Sequence, residues 1–160
     1  MQEHYFKIAY REYAPNELPD EVVILFQHAK AALKDAYSPY SKFRVACAIR
    51  LVNGEIVTGT NQENASYPAG ICAEGIALGA CASLHPNVGA KELFITIASD
   101  EFQVEQIAAP CGICRQQLLE FETRFNQPIS VWLGIEGKPV IRLASVKDLL
   151  PLAFTKSDLL

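Results

Sequence analysis

Hydrophobic and polar positions alternate with two different periods along the chain, and these periods predict a mixture of helices and strands. Apolar residues recur at helical spacing over residues 20–36, where Asp20 is a plausible N-terminal cap. Residues 72–84 are rich in alanine and other small residues and predict a second helix, and residues 112–124 predict a third. A last short helix is expected in SVKDLLPLAF, where Pro151 interrupts it.

The clearest strand signal is a hairpin in FRVACAIRLVNGEIVTGTN. Two β-rich runs flank Asn53 and Gly54, the residue pair that favours a two-residue type I′ turn. Residues 91–99, 129–135 and 139–144 predict three further strands. The first of these is apolar on both faces, which is typical of a strand in the middle of a covered sheet.

The order of elements is helix, hairpin, helix, strand, helix, strand, strand. This order predicts an α/β fold, a three-layer α/β/α sandwich with a central mixed five-stranded sheet. A chain of 160 residues is most simply one domain, residues 1–160. Within it, residues 1–19 include YFKIAYREY, which alternates in period two and predicts either an N-terminal arm or an extra strand.

Composition and charge exclude several classes of function. The chain has 18 acidic and 14 basic side chains and a net charge of −4, which argues against a nucleic-acid partner. No stretch approaches the roughly 18 uninterrupted apolar residues of a membrane span, so no membrane partner is expected. The N-terminal residues lack the apolar core of a secretory signal, so a cytoplasmic location is expected.

Five cysteines cannot all pair within one chain, and clustered cysteines in a reducing compartment are more often metal ligands or catalytic groups. Cys72, Cys111 and Cys114 are the candidates, because a Cys-x-x-Cys pair can reach one metal from a single turn. Three protein ligands leave the open position of a catalytic zinc site. Cys81 lies nine residues past Cys72, about 13 Å along a helix, and is badly placed to share the metal. Cys47 is predicted to be core.

Glu74 stands two residues after a proposed ligand and is the only acidic residue so close to one. Zinc lowers the pKa of a bound water towards ~7, and a nearby carboxylate that does not bind the metal can move the proton. Both cysteine sites are predicted at helix N-termini, where unpaired N–H groups stabilise thiolates. A lone Cys-x-x-Cys pair is as often a redox pair or a coincidence, but its combination with Pro110, Cys72 and Glu74 favours a metal site.

These residues also carry a resemblance to a known family. CAE followed by PCGICRQ resembles the zinc-dependent cytidine deaminases, and AYSPYSKFRVACA, GTNQENASYPAGICAE and VKDLLPLAF extend the match over nearly the whole chain. The resemblance implies hydrolytic deamination of cytidine or deoxycytidine in pyrimidine salvage. It also implies one Zn²⁺ per chain, a small-molecule nucleoside substrate, and a homotetramer whose pockets are completed across subunit interfaces.

The resemblance assigns a role to each candidate near the metal. Cys72, Cys111 and Cys114 would bind zinc. Glu74 would be the catalytic proton shuttle, carrying a proton first to N3 of the pyrimidine and then towards the leaving ammonia.

Five further residues would bind substrate. Asn61 and Glu63 would hydrogen-bond the ribose hydroxyls, and Phe43 would pack beside the pyrimidine. The N–H of Ala73 would hold the base carbonyl, and Phe154 would close the pocket of a neighbouring subunit. The alternatives are turn chemistry for Asn61, a solvated side chain for Glu63, and plain core packing for the two phenylalanines.

Gly75 departs from the family pattern, which usually has arginine directly after the glutamate. Blasticidin-S deaminases also lack that arginine, so a modified cytosine nucleoside is one alternative substrate, although NQENASYP favours a plain nucleoside. A catalytically weak nucleoside-binding relative is a second alternative, against which the intact Glu74 argues. Acidic charge disfavours a nucleic-acid editing enzyme, and a structural zinc protein would require a fourth ligand.

Gly75, Gly79 and Ser83 fall on one face of the predicted second helix. Because this face has little side-chain bulk, we expect it to pack tightly against a neighbouring element, in this chain or in another subunit. With glycine at position 75, the helix dipoles, Arg115 or another cation would have to offset the charge of the thiolates.

Overall fold

The computed structural model describes residues 1–159, and within them six strands form one mixed sheet. In spatial order the strands are β1 (Tyr10–Tyr13), β6 (Val140–Leu143), β5 (Ser130–Leu133), β4 (Ala90–Ser99), β2 (Phe43–Leu51) and β3 (Ile56–Thr60). The helices are α1 (Asp20–Ala32), α2 (Ala73–Leu84) and α3 (Gly112–Phe125). β4 and β5 run parallel and all other neighbours are antiparallel. The predicted α/β fold with a mixed sheet is confirmed.

The sheet separates two hydrophobic clusters, because successive residues of a strand point to opposite faces. On β2, Cys47 and Ile49 belong to the cluster covered by α2 and α3, whereas Ala48 lies in the cluster covered by α1. The neighbouring strand β4 alternates in the same way, with Phe94 on the α1 face. This arrangement confirms the predicted three layers. No helix within residues 1–159 has the length and apolarity needed to cross a membrane.

The predicted count of five strands is wrong by one, because β1 adds a strand at the edge of the sheet. It pairs antiparallel with β6, from Tyr10 opposite Leu143 to Tyr13 opposite Val140. The ring of Tyr13 lies 5.3 Å from that of Trp132, so the period-two pattern of the N-terminal residues places an aromatic side chain on the sheet. An edge strand exposes unpaired N–H and C=O groups, and β1 satisfies those of β6.

The hairpin of β2 and β3 is confirmed, but its predicted turn type is wrong. Arg50 pairs with Ile56, which leaves three loop residues between Leu51 and Glu55. The N–H of Leu51 donates to the Glu55 carbonyl over 2.8 Å. Gly54 alone of the predicted pair has a positive φ, +91°, whereas a type I′ turn requires two such residues.

The helices begin and end slightly differently from the sequence pattern. Asp20 is the first residue of α1 and not its cap, although its charge still favours the helix N-terminus. The helix ends at Ala32, short of residue 36, and a 3-10 turn over Leu33–Asp35 follows. The last predicted helix is a single 3-10 turn over Val146–Leu149.

Gly59 of β3 lets α2 lie directly on the sheet. A Cβ atom at this position would lie 2.5 Å from the carbonyl oxygen of Ala73 and 2.9 Å from Cα of Ala77, and closer still to the amide nitrogen of Ala77. All three atoms belong to the backbone of the first turns of α2. The absence of a side chain at residue 59 therefore fixes how near the N-terminus of α2 lies to the sheet.

Candidate metal and substrate site

Two helix N-termini bring three thiols together. Cys72 directly precedes α2, Cys111 directly precedes α3, and Cys114 lies in the first turn of α3. The Sγ atoms are 3.8 Å apart for Cys72 and Cys111, 3.5 Å apart for Cys111 and Cys114, and all lie within 4.8 Å of one another. Tetrahedral zinc with Zn–S bonds of about 2.3 Å places its sulfurs about 3.8 Å apart. The donor set therefore fits a zinc ion.

The electrostatics of the three thiols and Glu74 also favour a bound cation. Burial, with the charge of Glu74 adding to it, raises the pKa of the Cys72 and Cys114 thiols. Burial acts in the same direction on Cys111, but hydrogen bonds from the N–H groups of Cys114 and Ile113 and from the neighbouring thiols outweigh it, so the pKa of Cys111 lies below its usual value. Three thiolates this close repel one another, and a divalent cation removes that cost.

Glu74 lies beside the thiols in the first turn of α2, and only 4% of its surface is exposed. Burial raises the pKa of this carboxyl above its usual value, while hydrogen bonds from its own backbone and from Cys114 act in the opposite direction. A buried carboxylate next to a metal can accept and release protons at the reacting atoms without being a ligand.

A cavity of about 640 Å³ opens beside the thiols. It lies between the hairpin, the loop that precedes α2, and the segment that leads to Cys111. The predicted site residues that line it are Phe43, Asn61, Glu63, Cys72, Ala73, Glu74 and Cys111. Ala73 is the first residue of α2, so its N–H is among the helix N–H groups without an intrahelical partner.

Asn61 faces the cavity and also fastens the start of β2. Its Oδ1 accepts a hydrogen bond from the N–H of Val45 over 2.8 Å, and its Nδ2 donates to the carbonyl of Phe43 over 2.9 Å. An amide side chain has two donor hydrogens and two acceptor lone pairs, so one hydrogen and one lone pair remain for a ligand. The side chain is held in a fixed orientation by a strand and not by a turn of its own.

Glu63 is fixed by the segment that precedes β2. Its carboxylate accepts hydrogen bonds from the N–H of Tyr40 over 3.0 Å, from the N–H of Ser41 over 3.2 Å and from the Ser41 hydroxyl. The hydrogen bond from the Ser41 hydroxyl is the main cause of a lowered pKa of Glu63, with burial acting in the opposite direction and the backbone N–H groups and Lys42 adding to the lowering. The carboxylate is therefore ionised at neutral pH and oriented at the rim of the cavity while it stays partly exposed, and its role in sugar binding stays a prediction.

The two candidate phenylalanines lie in different places. Phe43 lines the cavity and stacks on Phe102, with the ring centroids 6.4 Å apart and the planes within 7°. Phe154 is 58% exposed, and its carbonyl accepts a hydrogen bond from Gln116. It does not line the cavity of its own chain, so its role in a neighbouring subunit stays a prediction.

The face of α2 that carries Gly75 packs only at one end. A Cβ at residue 75 would lie 3.2 Å from Oε1 of Gln117 and 3.3 Å from a methyl group of Ile71. A Cβ at Gly79 would meet no atom within 4 Å, and Ser83 is exposed. Tight packing of the whole face within the chain is therefore a wrong prediction, and packing against another subunit stays untested.

Arg115 was a candidate for offsetting the thiolate charge, but its guanidinium is bonded elsewhere. Nε donates to the carbonyl of Pro110 over 2.8 Å and NH1 donates to the carbonyl of Leu149 over 2.9 Å. The sequence interpretation also missed Tyr40, Ser41, Tyr67 and Ile71 as cavity-lining residues. For the first two, the turn-rich YSPYSKF directly before β2 was the available signal.

Comparisons with known proteins agree with this geometry. Residues 21–126 match the family model described as the cytidine and deoxycytidylate deaminase zinc-binding region. A curated cytidine deaminase of Halalkalibacterium halodurans is 35% identical over 138 residues, which cover 85% of this chain and 96% of the relative. One of Sporosarcina psychrophila is 36% identical over 140 residues, covering 87% of this chain and 95% of the relative.

Solved structures give the same result. The crystal structure of a cytidine deaminase from Burkholderia pseudomallei matches with a TM-score of 0.71 at 34% identity, covering 82% of this chain and 98% of the other. A cytidine deaminase from Mycobacterium tuberculosis matches with a TM-score of 0.65 at 31% identity, covering 84% of this chain and 97% of the other. The predicted fold class is confirmed by both.

Proposed function

The chain belongs to the cytidine and deoxycytidylate deaminase family, and we propose that it hydrolyses the exocyclic amine of cytidine and deoxycytidine. The reaction consumes one water and gives uridine or deoxyuridine and ammonia. The observation that carries this proposal is the placement of three thiols and one buried carboxylate at two adjoining helix N-termini, where Cys72, Cys111 and Glu74 line a single cavity.

Cys72, Cys111 and Cys114 would hold one Zn²⁺ per chain. The ion supplies a Lewis acid that brings the pKa of water towards ~7. Because two of the thiols stand at helix N-termini, backbone N–H groups share in stabilising their negative charge. This protein contribution matters more here than in relatives with an arginine after the glutamate, since residue 75 is glycine.

Glu74 would accept one proton from the attacking water and deliver it to N3 of the pyrimidine, and would then accept the second proton of that water and deliver it to the departing amine. Its raised pKa suits both steps, since general acid–base catalysis is most effective when the pKa is near the working pH. The N–H of Ala73 donates to the carbonyl of the base and so orients the ring. Phe43, which lines the cavity, packs beside the ring.

Asn61 and Glu63 bind the sugar hydroxyls from the end of the hairpin. Both are already held by backbone groups, so they are oriented before substrate arrives and lose little freedom on binding. The cavity lining includes two carboxylates, and none of its side chains, all within residues 1–159, is a lysine or arginine. A nucleoside 5′-phosphate would find no cation there, so the substrate is a nucleoside and not a nucleotide.

A modified cytosine nucleoside is the second candidate substrate. The cavity of about 640 Å³ falls within the ~300–1,000 Å³ range that holds drug-sized ligands. This volume is large enough for a cytosine nucleoside that is larger than cytidine, such as blasticidin S.

Pyrimidine salvage, a cytoplasmic location and a homotetramer complete the proposal. Ile71, Tyr67 and Ile113 are exposed around the mouth of the cavity and the metal-binding turn. Clustered exposed apolar side chains favour an interface, and a second subunit placed here would close the cavity.

Purified protein tests the proposal by loss of ultraviolet absorbance on cytidine, deoxycytidine, cytosine, cytidine 5′-monophosphate and blasticidin S, with zinc measured on the same sample. We expect one zinc per chain and turnover of both nucleosides, with the monophosphate turned over far more slowly. A zinc-loaded protein that deaminates neither nucleoside, or prefers the monophosphate, contradicts the proposal. Preference for blasticidin S would support the second candidate.

A further inference from the structure

The metal-bearing turn of α3 also holds the C-terminal segment of the chain. Arg115 and Gln116 directly follow Cys114. Arg115 bridges the carbonyls of Pro110 and Leu149, over 2.8 Å and 2.9 Å. Gln116 donates from Nε2 to the carbonyl of Phe154 over 2.8 Å. Two consecutive side chains therefore join the metal-binding turn to carbonyls that lie 34 and 38 residues further along the chain.

The segment that receives these hydrogen bonds has few anchors of its own. After the 3-10 turn that ends at Leu149, Leu152 is 89% exposed and has a φ of +56°, and Phe154 is 58% exposed. Only Leu150 and Ala153 pack partly against the core within the described segment, residues 150–159. Exposed segments with few buried contacts open locally at a low cost in free energy. The position of the Phe154 ring therefore depends strongly on the hydrogen bond to the Phe154 carbonyl.

We propose that Gln116 is a positioning residue that presents the Phe154 ring to the substrate cavity of a neighbouring subunit. This inference rests on the proposed function and on the prediction, implied by the family resemblance, that Phe154 closes the cavity of a neighbouring subunit. Arg115 connects the same segment to Pro110, the residue directly before the ligand Cys111. The metal-binding turn of one subunit thereby supports substrate binding in the next.

The connection through Arg115 has a thermodynamic consequence. If metal binding to the metal-binding turn favours docking of the C-terminal segment, then docking of that segment increases the affinity for the metal by the same factor. Zinc should therefore increase the protection of backbone amides in residues 150–156 against hydrogen exchange, although those residues contribute no ligand.

Gln116→Glu tests the positioning role, because it keeps the shape of the side chain and removes its donor hydrogens. Gln27→Glu is the matched control, since it makes the same charge change on the exposed face of α1 in the opposite layer. We expect Gln116→Glu to raise KM for cytidine about three- to tenfold, the size of one neutral hydrogen bond. We expect kcat to change less than about twofold and zinc content and subunit number to stay unchanged. The control should match the parent enzyme.

Phe154→Leu separates failure of this inference from failure of the proposed function. If Phe154→Leu raises KM and Gln116→Glu does not, the positioning role is wrong and the role of Phe154 stands. If neither variant changes KM, the positioning role of Gln116 and the substrate-binding role of Phe154 are both wrong. A KM change in Gln116→Glu that comes with loss of zinc or of assembly also overturns the inference, since it shows a structural role. If the backbone amides of residues 150–156 are equally protected against hydrogen exchange with and without zinc, then Arg115 does not couple zinc binding to the C-terminal segment.

Discussion

Gly59→Ala is the substitution whose effect the structure defines most sharply. The added methyl group would lie 2.5 Å from the carbonyl oxygen of Ala73 and 2.9 Å from Cα of Ala77, where ordinary contact begins at about 3.4 Å. Because these are backbone atoms of α2, no side-chain rotation can relieve the overlap. The helix must move away from the sheet by about 1 Å, and it carries Cys72 and Glu74 with it.

Two effects should follow from this displacement. Overpacking of this kind typically costs ~1–3 kcal/mol, and each kcal/mol lowers the melting temperature of a chain of this size by about 2–4 °C. Misplacement of catalytic groups by 1 Å can cost roughly 100-fold in rate. We therefore expect a melting temperature lower by about 2–12 °C and a kcat/KM for cytidine reduced by roughly one to two orders of magnitude.

Gly79→Ala is the control for packing within the chain, because a Cβ there would meet no atom of this chain within 4 Å, and its subunit number is measured as well because Gly79 shares a face of α2 with Gly75. Alanine is favoured over glycine inside a helix by about 0.5–1 kcal/mol, so this variant should be as stable as the parent or more so. Thermal unfolding, zinc content and deamination rate are measured on both variants. If Gly59→Ala matches Gly79→Ala in stability and activity, the close approach of β3 and α2 does not position the site.

Three further predictions concern single residues of the site. Cys111→Ala should lose zinc and stability, because metal binding is coupled to folding, and a fully metallated variant in elemental analysis would remove Cys111 from the ligand set. Glu63→Gln should lower kcat/KM for cytidine roughly ten- to a hundredfold, the size of a hydrogen bond to a charged group, and affect free cytosine much less; an equal loss on both would assign Glu63 to structure alone. Gly75→Arg should fold with its zinc, since its Cβ would meet only side-chain atoms of Gln117 and Ile71 and no backbone, but should fail to assemble; a fully assembled variant in size-exclusion chromatography with light scattering would show that this face of α2 is not an interface.

Features that depend on short sequence separations could be predicted. The helical spacing of residues 20–36, the small residues of 72–84 and the two β-rich runs around Asn53 and Gly54 predicted the elements that form, and the alternation of helices with strands predicted the layers. The spacing of Cys111 and Cys114 indicated a metal site because the two thiols share one turn. Cys72 can join these two thiols only if the N-termini of α2 and α3 meet. The combined motif predicted that they do, and in the structure the three cysteines form one cluster.

Features that depend on which backbones meet could not be predicted. Nothing in the sequence around Gly59 specifies that a helix lies against it, because that contact forms only when α2 packs on β3. Asn61 was expected to bind a ligand or make a turn, but in the structure its amide also pairs with two backbone groups of β2. The bonds from Arg115 and Gln116 to the C-terminal segment likewise depend on the path of a distant part of the chain.

Above all, we propose that Glu74 moves the proton for deamination at a three-cysteine zinc site. The most direct test is kcat for cytidine in Glu74→Gln, measured on protein whose zinc content is known. The amide keeps the size of the side chain but cannot carry the proton, so we predict one zinc per chain and a kcat reduced by at least ~10²–10⁴-fold. A zinc-loaded Glu74→Gln enzyme that keeps most of its turnover would contradict the account.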